Sequence, residues 1–220
     1  MQMALKNKLA QLILGRGLLL VVFVFAFFNP ISHIVFRSGK IHLPEFSDFS
    51  TVVENSDLNV LSGVYVQNVL ALPVVQQPMG DSGYVSGHDD EATQFAMASR
   101  YGNIGLLAHN YLSGRLFSNL VIGEEVRLIY GNGKVEYFVI TEVLRYQALD
   151  PHSQWSSFRN LDNYDVLSTE QMFNRAYAGD RHVTFQTCIA ANGNSSWGRL
   201  FVIAVPKSFS FDHLIRQFLQ

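Results

Sequence analysis

Val183-Thr184-Phe185-Gln186-Thr187-Cys188, then Ala191-Asn192-Gly193-Asn194-Ser195-Ser196, then Trp197-Gly198-Arg199 read as a β-type run, a loop and the opening of a second strand. β-Branched and aromatic residues suit a pleated, half-buried surface, and Asn, Gly and Ser suit the turn between two such runs. The pattern sets Cys188 and Arg199 at facing ends of two strands joined by one loop. A guanidinium beside a thiol favours the thiolate or a developing oxyanion. Cys188 is the single cysteine of the chain, so it has no internal disulfide partner and is unpaired, intermolecular or reactive. A free cysteine also serves as a small buried hydrophobe, and its neighbourhood decides between the two.

A thiol nucleophile needs a base, and seven histidines compete. His182 lies six residues before Cys188 on the same run, which puts it roughly 20 Å away at about 3.3 Å per strand residue. His33 falls in or beside an apolar N-terminal stretch, His42 in a linker, His213 in the tail, and His88 and His152 in polar loops. His109 alone follows a short apolar run, Gly105-Leu106-Leu107-Ala108, and opens a loop over residues 110–114. That setting fixes a ring at a cleft, although a structural histidine fits it too.

Outward from these segments the signals are mostly β. Residues 64–70 and 71–76 are rich in Val and Leu, and residues 78–83 carry turn chemistry. Residues 92–99 read as a short helix behind His88-Asp89-Asp90-Glu91. That acidic group suits a helix start better than a Ca²⁺ loop, because it lacks EF-hand spacing. Residues 126–130 and 134–140 flank Gly131-Asn132-Gly133, a hairpin signal. A polar segment with Trp155 fills residues 150–166, and Ser168-Thr169-Glu170-Gln171 is a capping box opening a helix to about residue 178, with Gly179 as its stop. Strands over 182–189 and 199–205 follow, and Phe211, Leu214, Ile215 and Phe218 share one helical face in the tail. Many short strands with few short helices predict a single closed, mainly β barrel.

The N-terminus differs in kind. Residues 9–36 are almost wholly apolar and long enough to cross a bilayer, with Arg16 near the cytoplasmic end. No small-x-small cleavage pattern follows, so an uncleaved transmembrane helix is expected in place of a signal peptide. Lys6 and Lys8 precede the span while Arg37 and Lys40 follow it, a weak positive-inside bias. The division expected is a cytoplasmic tail at 1–8, an anchor region at 9–36, a linker at 37–57, a catalytic domain at 58–206 and an amphipathic tail at 207–220. A net charge of −2, with no run of Lys and Arg, excludes a nucleic-acid partner.

Thr184-Phe185-Gln186-Thr187-Cys188 resembles the T-L-x-T-C signature of the sortase family, with Phe185 in place of Leu. Leu106-Leu107-Ala108-His109 resembles the strand ending in that family's catalytic His, with Ala108 where many relatives have Gly. Arg199-Leu200-Phe201-Val202-Ile203-Ala204 resembles the strand opened by its catalytic Arg. The likeness covers about residues 58–206, by motif order and not by continuous identity. It implies an eight-stranded sortase-like β-barrel behind a single-pass anchor in the cell membrane, with the catalytic domain extracytoplasmic. It also implies a thiol transpeptidase that cleaves a C-terminal sorting motif of surface proteins and passes the acyl group to a cell-wall or pilin amine. Carried over, Cys188 is the nucleophile, His109 the acid/base and Arg199 the stabiliser of substrate and oxyanion. Thr187 and Trp197 are expected on the substrate, and no metal or cofactor is called for. Residues 150–166 and the helix after them fall where the family selects its substrate. A hydrolytic cysteine peptidase with the same three residues, and a surface-binding module with a degenerate site, are the competing expectations.

Overall fold

The computed structural model describes residues 43–153 and 155–207. The expected span at 9–36 and the amphipathic face of the tail lie outside them. No helix among the described residues is long and apolar enough to cross a membrane. The chain runs through helix α1 (Phe46–Val53), strands β1 (Leu61–Val66), β2 (Leu70–Gln76) and β3 (Ala92–Phe95), and one helical turn, α2 (Ala96–Ser99). Strand β4 (Ile104–Leu107), a 3₁₀ helix (Ser113–Asn119), β5 (Glu125–Tyr130) and the long β6 (Val135–Ala148) follow. Short strands β7 (Phe158–Asn160) and β8 (Val166–Leu167), helix α3 (Thr169–Tyr177), β9 (Val183–Ala191) and β10 (Asn194–Pro206) complete it.

All ten strands form one sheet in the order β10-β9-β4-β3-β2-β1-β5-β6-β7-β8, and β10 also pairs with β6. That extra pairing closes a ring of eight strands and leaves β7 and β8 as a flap on the upper half of β6. Closure removes the exposed sheet edges that an open β-fold would have to protect. Alternation along each strand then assigns two faces. Val183 and Phe185 of β9, Leu200 and Val202 of β10, and Leu106 of β4 point into one core with Val64, Leu128 and Phe117. Phe185 is wholly buried and meets Phe117 edge-on at 5.2 Å. The 3₁₀ helix supplies the aromatic partner that covers the Phe185 ring.

The outer face of the same strands carries a second apolar layer. Met172, Ala176 and Tyr177 of α3 pack there on Phe201 and Tyr146. α3 begins with both halves of the expected capping box, and the chain leaves it through Gly179 at φ +100°.

Three readings of the sequence change. Residues 92–95 are strand and only 96–99 helix, because Ala92–Phe95 finds ladder partners on both sides, in β2 and β4. Residues 46–53, expected within a linker, form α1, whose Phe46, Phe49 and Val53 pack on Tyr65 and Ile129. Its fit depends on Gly63, where a β-carbon would stand 2.8 Å from Val53 Cγ2. The loop expected over 191–196 shrinks to Asn192 and Gly193, whose positive φ angles of 52° and 75° make a tight hairpin turn.

Candidate active site

The register of four neighbouring strands builds the site. Cys188 of β9 pairs directly with Arg199 of β10, and Arg199 pairs in turn with Tyr146 of β6. On the other side β4 runs parallel to β9, with Leu107 beside Gln186. Ala108 N donates to Gln186 O (3.3 Å), and Thr187 Oγ1 donates to Ala108 O (2.8 Å). The next residue, His109, therefore arrives level with Cys188. Neighbouring strands lie about 4.8 Å apart, so His109 and Arg199 flank Cys188 one strand away on either side. Alternation puts all three on the outer face. The order His109–Cys188–Arg199–Tyr146 is one row across the barrel wall.

The end of α3 engages the two residues below Cys188 on the same face. Thr184 and Gln186 share the outer face with Cys188. Thr184 Oγ1 donates to Ala176 O (2.6 Å), and the Tyr177 hydroxyl donates to Gln186 Oε1. Burial pushes the Tyr177 phenol far above its ordinary pKa, which keeps it a neutral donor. His182 sits at the same helix end, its ring nitrogens 2.7 Å from Asp180 O and 2.9 Å from Ala176 O. It ties α3 to the start of β9 and is no candidate base. Neither the Thr184 bond nor the Gln186 bond reaches position 188, and Cys188 is a free, half-buried thiol.

The loop that carries His109 is held tightly. His109 O accepts from Leu112 N (2.9 Å) and Gly114 N (3.0 Å). A β-carbon on Gly114 would fall 2.7 Å or less from Thr187 Oγ1, Ala108 O and His109 O, so the turn closes only with glycine. The His109 ring is stacked on Tyr111, centroids 5.1 Å apart and planes 17° off parallel. Arg199 Nη1 donates to Ser196 O and Gly198 O, both at 2.9 Å. Its Nε–H and Nη2 hydrogens have no partner among the described residues, and no carboxylate pairs with it there.

The structure brings His109, Cys188 and Arg199 together, and separates the two residues expected on the substrate. Thr187 is 3% exposed and points into the barrel with Phe185. Its hydroxyl is engaged by Ala108 O, so it holds the His109 end of β4 to β9 and is not free for a ligand. Trp197 is half-buried beside Arg199 and stays within reach of one. Trp155, in the polar segment before α3, is 77% exposed. Asp89 of the acidic group is paired with Arg115 (2.8 Å).

Sequence reasoning missed Asn110 and Tyr146, for which no local signal existed; register alone places them. Beyond Arg199 the row continues from Tyr146 to Asn160 of β7. There a cleft of about 370 Å³ opens, floored by Leu144, Tyr146 and Leu167 and rimmed by Asn160, Asp165 and Arg175.

No family model matches the sequence, and no curated protein matches it. Solved structures do. Sortase C-1 from Actinomyces oris is 11% identical, with a TM-score of 0.46 over 74% of this chain and 81% of that one. Sortase A from Listeria monocytogenes is 13% identical, with a TM-score of 0.43 over 68% and 88%. A sortase D5 transpeptidase from Clostridium perfringens is 14% identical, with a TM-score of 0.40 over 76% and 91%. At these identities and TM-scores, what the chain does rests on its own residues.

Proposed function

We propose that the chain is a cysteine transpeptidase of the sortase type. The observation that carries the reading is the row itself: the one cysteine of the chain, half-buried and free, between His109 and a half-buried Arg199 that no carboxylate pairs with among the described residues. Cys188 attacks the carbonyl of a sorting-signal peptide, and His109 takes the thiol proton and returns it to the leaving amine. The Arg199 Nε–H and Nη2 hydrogens donate to the oxyanion that forms on the attacked carbonyl. The new thioester is resolved by an amine of the cell wall or a pilin, with His109 now acting as base. Trp197 lines the substrate path, and Thr187 acts through Ala108 by fixing His109. Residues 9–36 anchor the chain in the cell membrane, with the catalytic domain extracytoplasmic.

The test is to incubate the full chain in detergent with a library of peptides containing Leu-Pro-x-Thr-Gly variants, with and without triglycine. A peptide acyl adduct on Cys188, read by mass spectrometry and converted to a triglycine ligation product, is the expected result. Free acid alone, unchanged by triglycine, makes the protein a hydrolytic peptidase. No adduct with any member of the library overturns the reading.

A further inference from the structure

The hairpin that carries Cys188 and Arg199 is irregular just beyond them. Asn194 pairs with Ala191 and Gly198 with Ile189, so three residues of β10 (195, 196 and 197) face one residue of β9 (190). A bulge of this kind frees backbone groups from the ladder and re-aims the side chains that follow it. Two of the freed carbonyls are taken up by side chains. Ser196 O accepts from Arg199 Nη1 at 2.9 Å, and Ser195 O accepts from Asn110 Nδ2 at 2.9 Å. Asn110 is half-buried and is the residue immediately after His109. One side chain thus links the base-bearing loop to the bulge, across 85 residues of sequence. The adjacent peptide of that bulge links on to the guanidinium.

We propose that Asn110 is a positioning residue: its bond to Ser195 O holds the bulge that aims Arg199, and fixes the span from His109 to Arg199 across Cys188. The inference rests on the preceding reading of Cys188 and Arg199. Asn110 touches no reacting atom. Without its donor, Ser195 O loses its tether, the bulge relaxes, and the Arg199 guanidinium no longer sits beside the thiol. The loop itself keeps its turn, because the bonds from Leu112 and Gly114 to His109 O do not involve Asn110.

The chain has one cysteine, so alkylation reports Cys188 alone and needs no peptide substrate. A cation beside the thiol accelerates the anionic reagent iodoacetate relative to the neutral iodoacetamide. The experiment measures the ratio of the two rates at pH 7 in the full chain, for wild type, Arg199→Ala, Asn110→Ala and Asn110→Leu. Leu nearly matches Asn in size, adds no charge and cannot donate, and serves if the Ala variant does not fold. Expected is a ratio lowered at least about 3-fold by Arg199→Ala and by a comparable factor in the folded Asn110 variants, with thermal midpoints close to wild type. A purely structural role would shift the midpoint and leave the ratio. If Arg199→Ala lowers the ratio and both Asn110 variants keep the wild-type value, the positioning claim alone falls. If Arg199→Ala leaves the ratio unchanged, the placement of Arg199 beside the thiol falls, and this inference with it.

Discussion

The two ends of the barrel handle charge in opposite ways. At the end where β9 begins, Glu136 accepts from Lys134, Arg181 and the Tyr130 hydroxyl, while Glu125 accepts from Arg127 and Lys207. Burial alone would raise both carboxyls, but these hydrogen bonds and the cations that make them hold both below the ordinary carboxylate range. At the end where β9 finishes, His109, Cys188 and Arg199 stand in one row with no carboxylate among them. A cation whose neighbours are backbone carbonyls keeps its charge for a ligand, whereas one bonded to a carboxylate does not. The first end directs its charges to the barrel's own residues, and in the proposed function the second directs its charge to the substrate.

The largest effect that would break this contrast is at Cys188. Cys188→Ala is expected to abolish acyl-adduct formation, and Cys188→Ser to leave only a trace, because an alcohol is far less nucleophilic than a partly ionised thiol. Both variants should unfold within about 0.5 kcal/mol of wild type, since the position is half-buried and bonded to nothing structural. Turnover by the alanine variant would end the assignment.

Arg199→Lys comes next. Lysine keeps the charge but loses the planar fork, so it cannot hold Ser196 O and Gly198 O with one nitrogen while presenting others to the substrate. Losing one preorganised oxyanion donor lowers the rate by about 10²–10³-fold. Expected is a kcat lowered at least about 10²-fold with the thermal midpoint nearly unchanged. Near wild-type kcat in the folded lysine variant would make Arg199 an ordinary surface cation.

Why the sequence carried one end of the molecule better than the other follows from these residues. Cys188 and Arg199 are separated by one hairpin, so local β pattern sufficed to set them face to face. His109 stands out by its apolar run, and the resemblance implies its role as base, but its distance from Cys188 depends on a parallel pairing between strands 79 residues apart in sequence. No local rule gives that register. Thr187 is expected on the substrate from its place in the motif, but β alternation turns position 187 inward when 188 faces out, and its side chain bonds Ala108 O. α1 was missed although its signal was present: Phe46, Phe49 and Val53 have helical spacing within a polar stretch. The closed barrel was expected because many short strands need closure, yet the pairing of β10 with β6 that completes it is visible only in three dimensions.

A smaller effect sharpens the comparison from the other end. Glu136→Gln removes the carboxylate that Lys134 and Arg181 share and leaves two cations near each other. Losing a partly buried, charge-assisted hydrogen-bonded group typically costs about 1–2 kcal/mol. Expected is a lower thermal midpoint with kcat within about 2-fold of wild type, the reverse of the Arg199→Lys pattern. A loss of kcat exceeding the loss of stability would mean that the two ends are not independent.

The smallest effect lies at the His109 end of the barrel but outside the row, at Asp89. It accepts from Arg115 Nη1 (2.8 Å) and Ser113 Oγ (3.4 Å), joining the loop before β3 to the 3₁₀ helix that follows the His109 turn. The hydrogen bond from Arg115 is the chief cause holding the Asp89 carboxyl below its ordinary range, against a burial penalty that would raise it. A carboxyl with a depressed folded pKa contributes stability that is fully present above its unfolded value, near pH 4, and is lost as the pH falls through the folded value. Both side chains are more than 40% exposed, so water screens the pair and its worth is no more than about 0.5 kcal/mol. Asp89→Asn should therefore lower the midpoint slightly at pH 7, and the difference from wild type should shrink as the pH is taken below about 4. Cys188 alkylation rates should not change, because the bonds to His109 O, Ala108 O and Ser195 O hold the site without Asp89. A midpoint difference that stays constant from pH 7 down to pH 3 would show that the residue acts by packing and not by charge. A change in alkylation would extend the reacting end of the barrel out to the loop before β3.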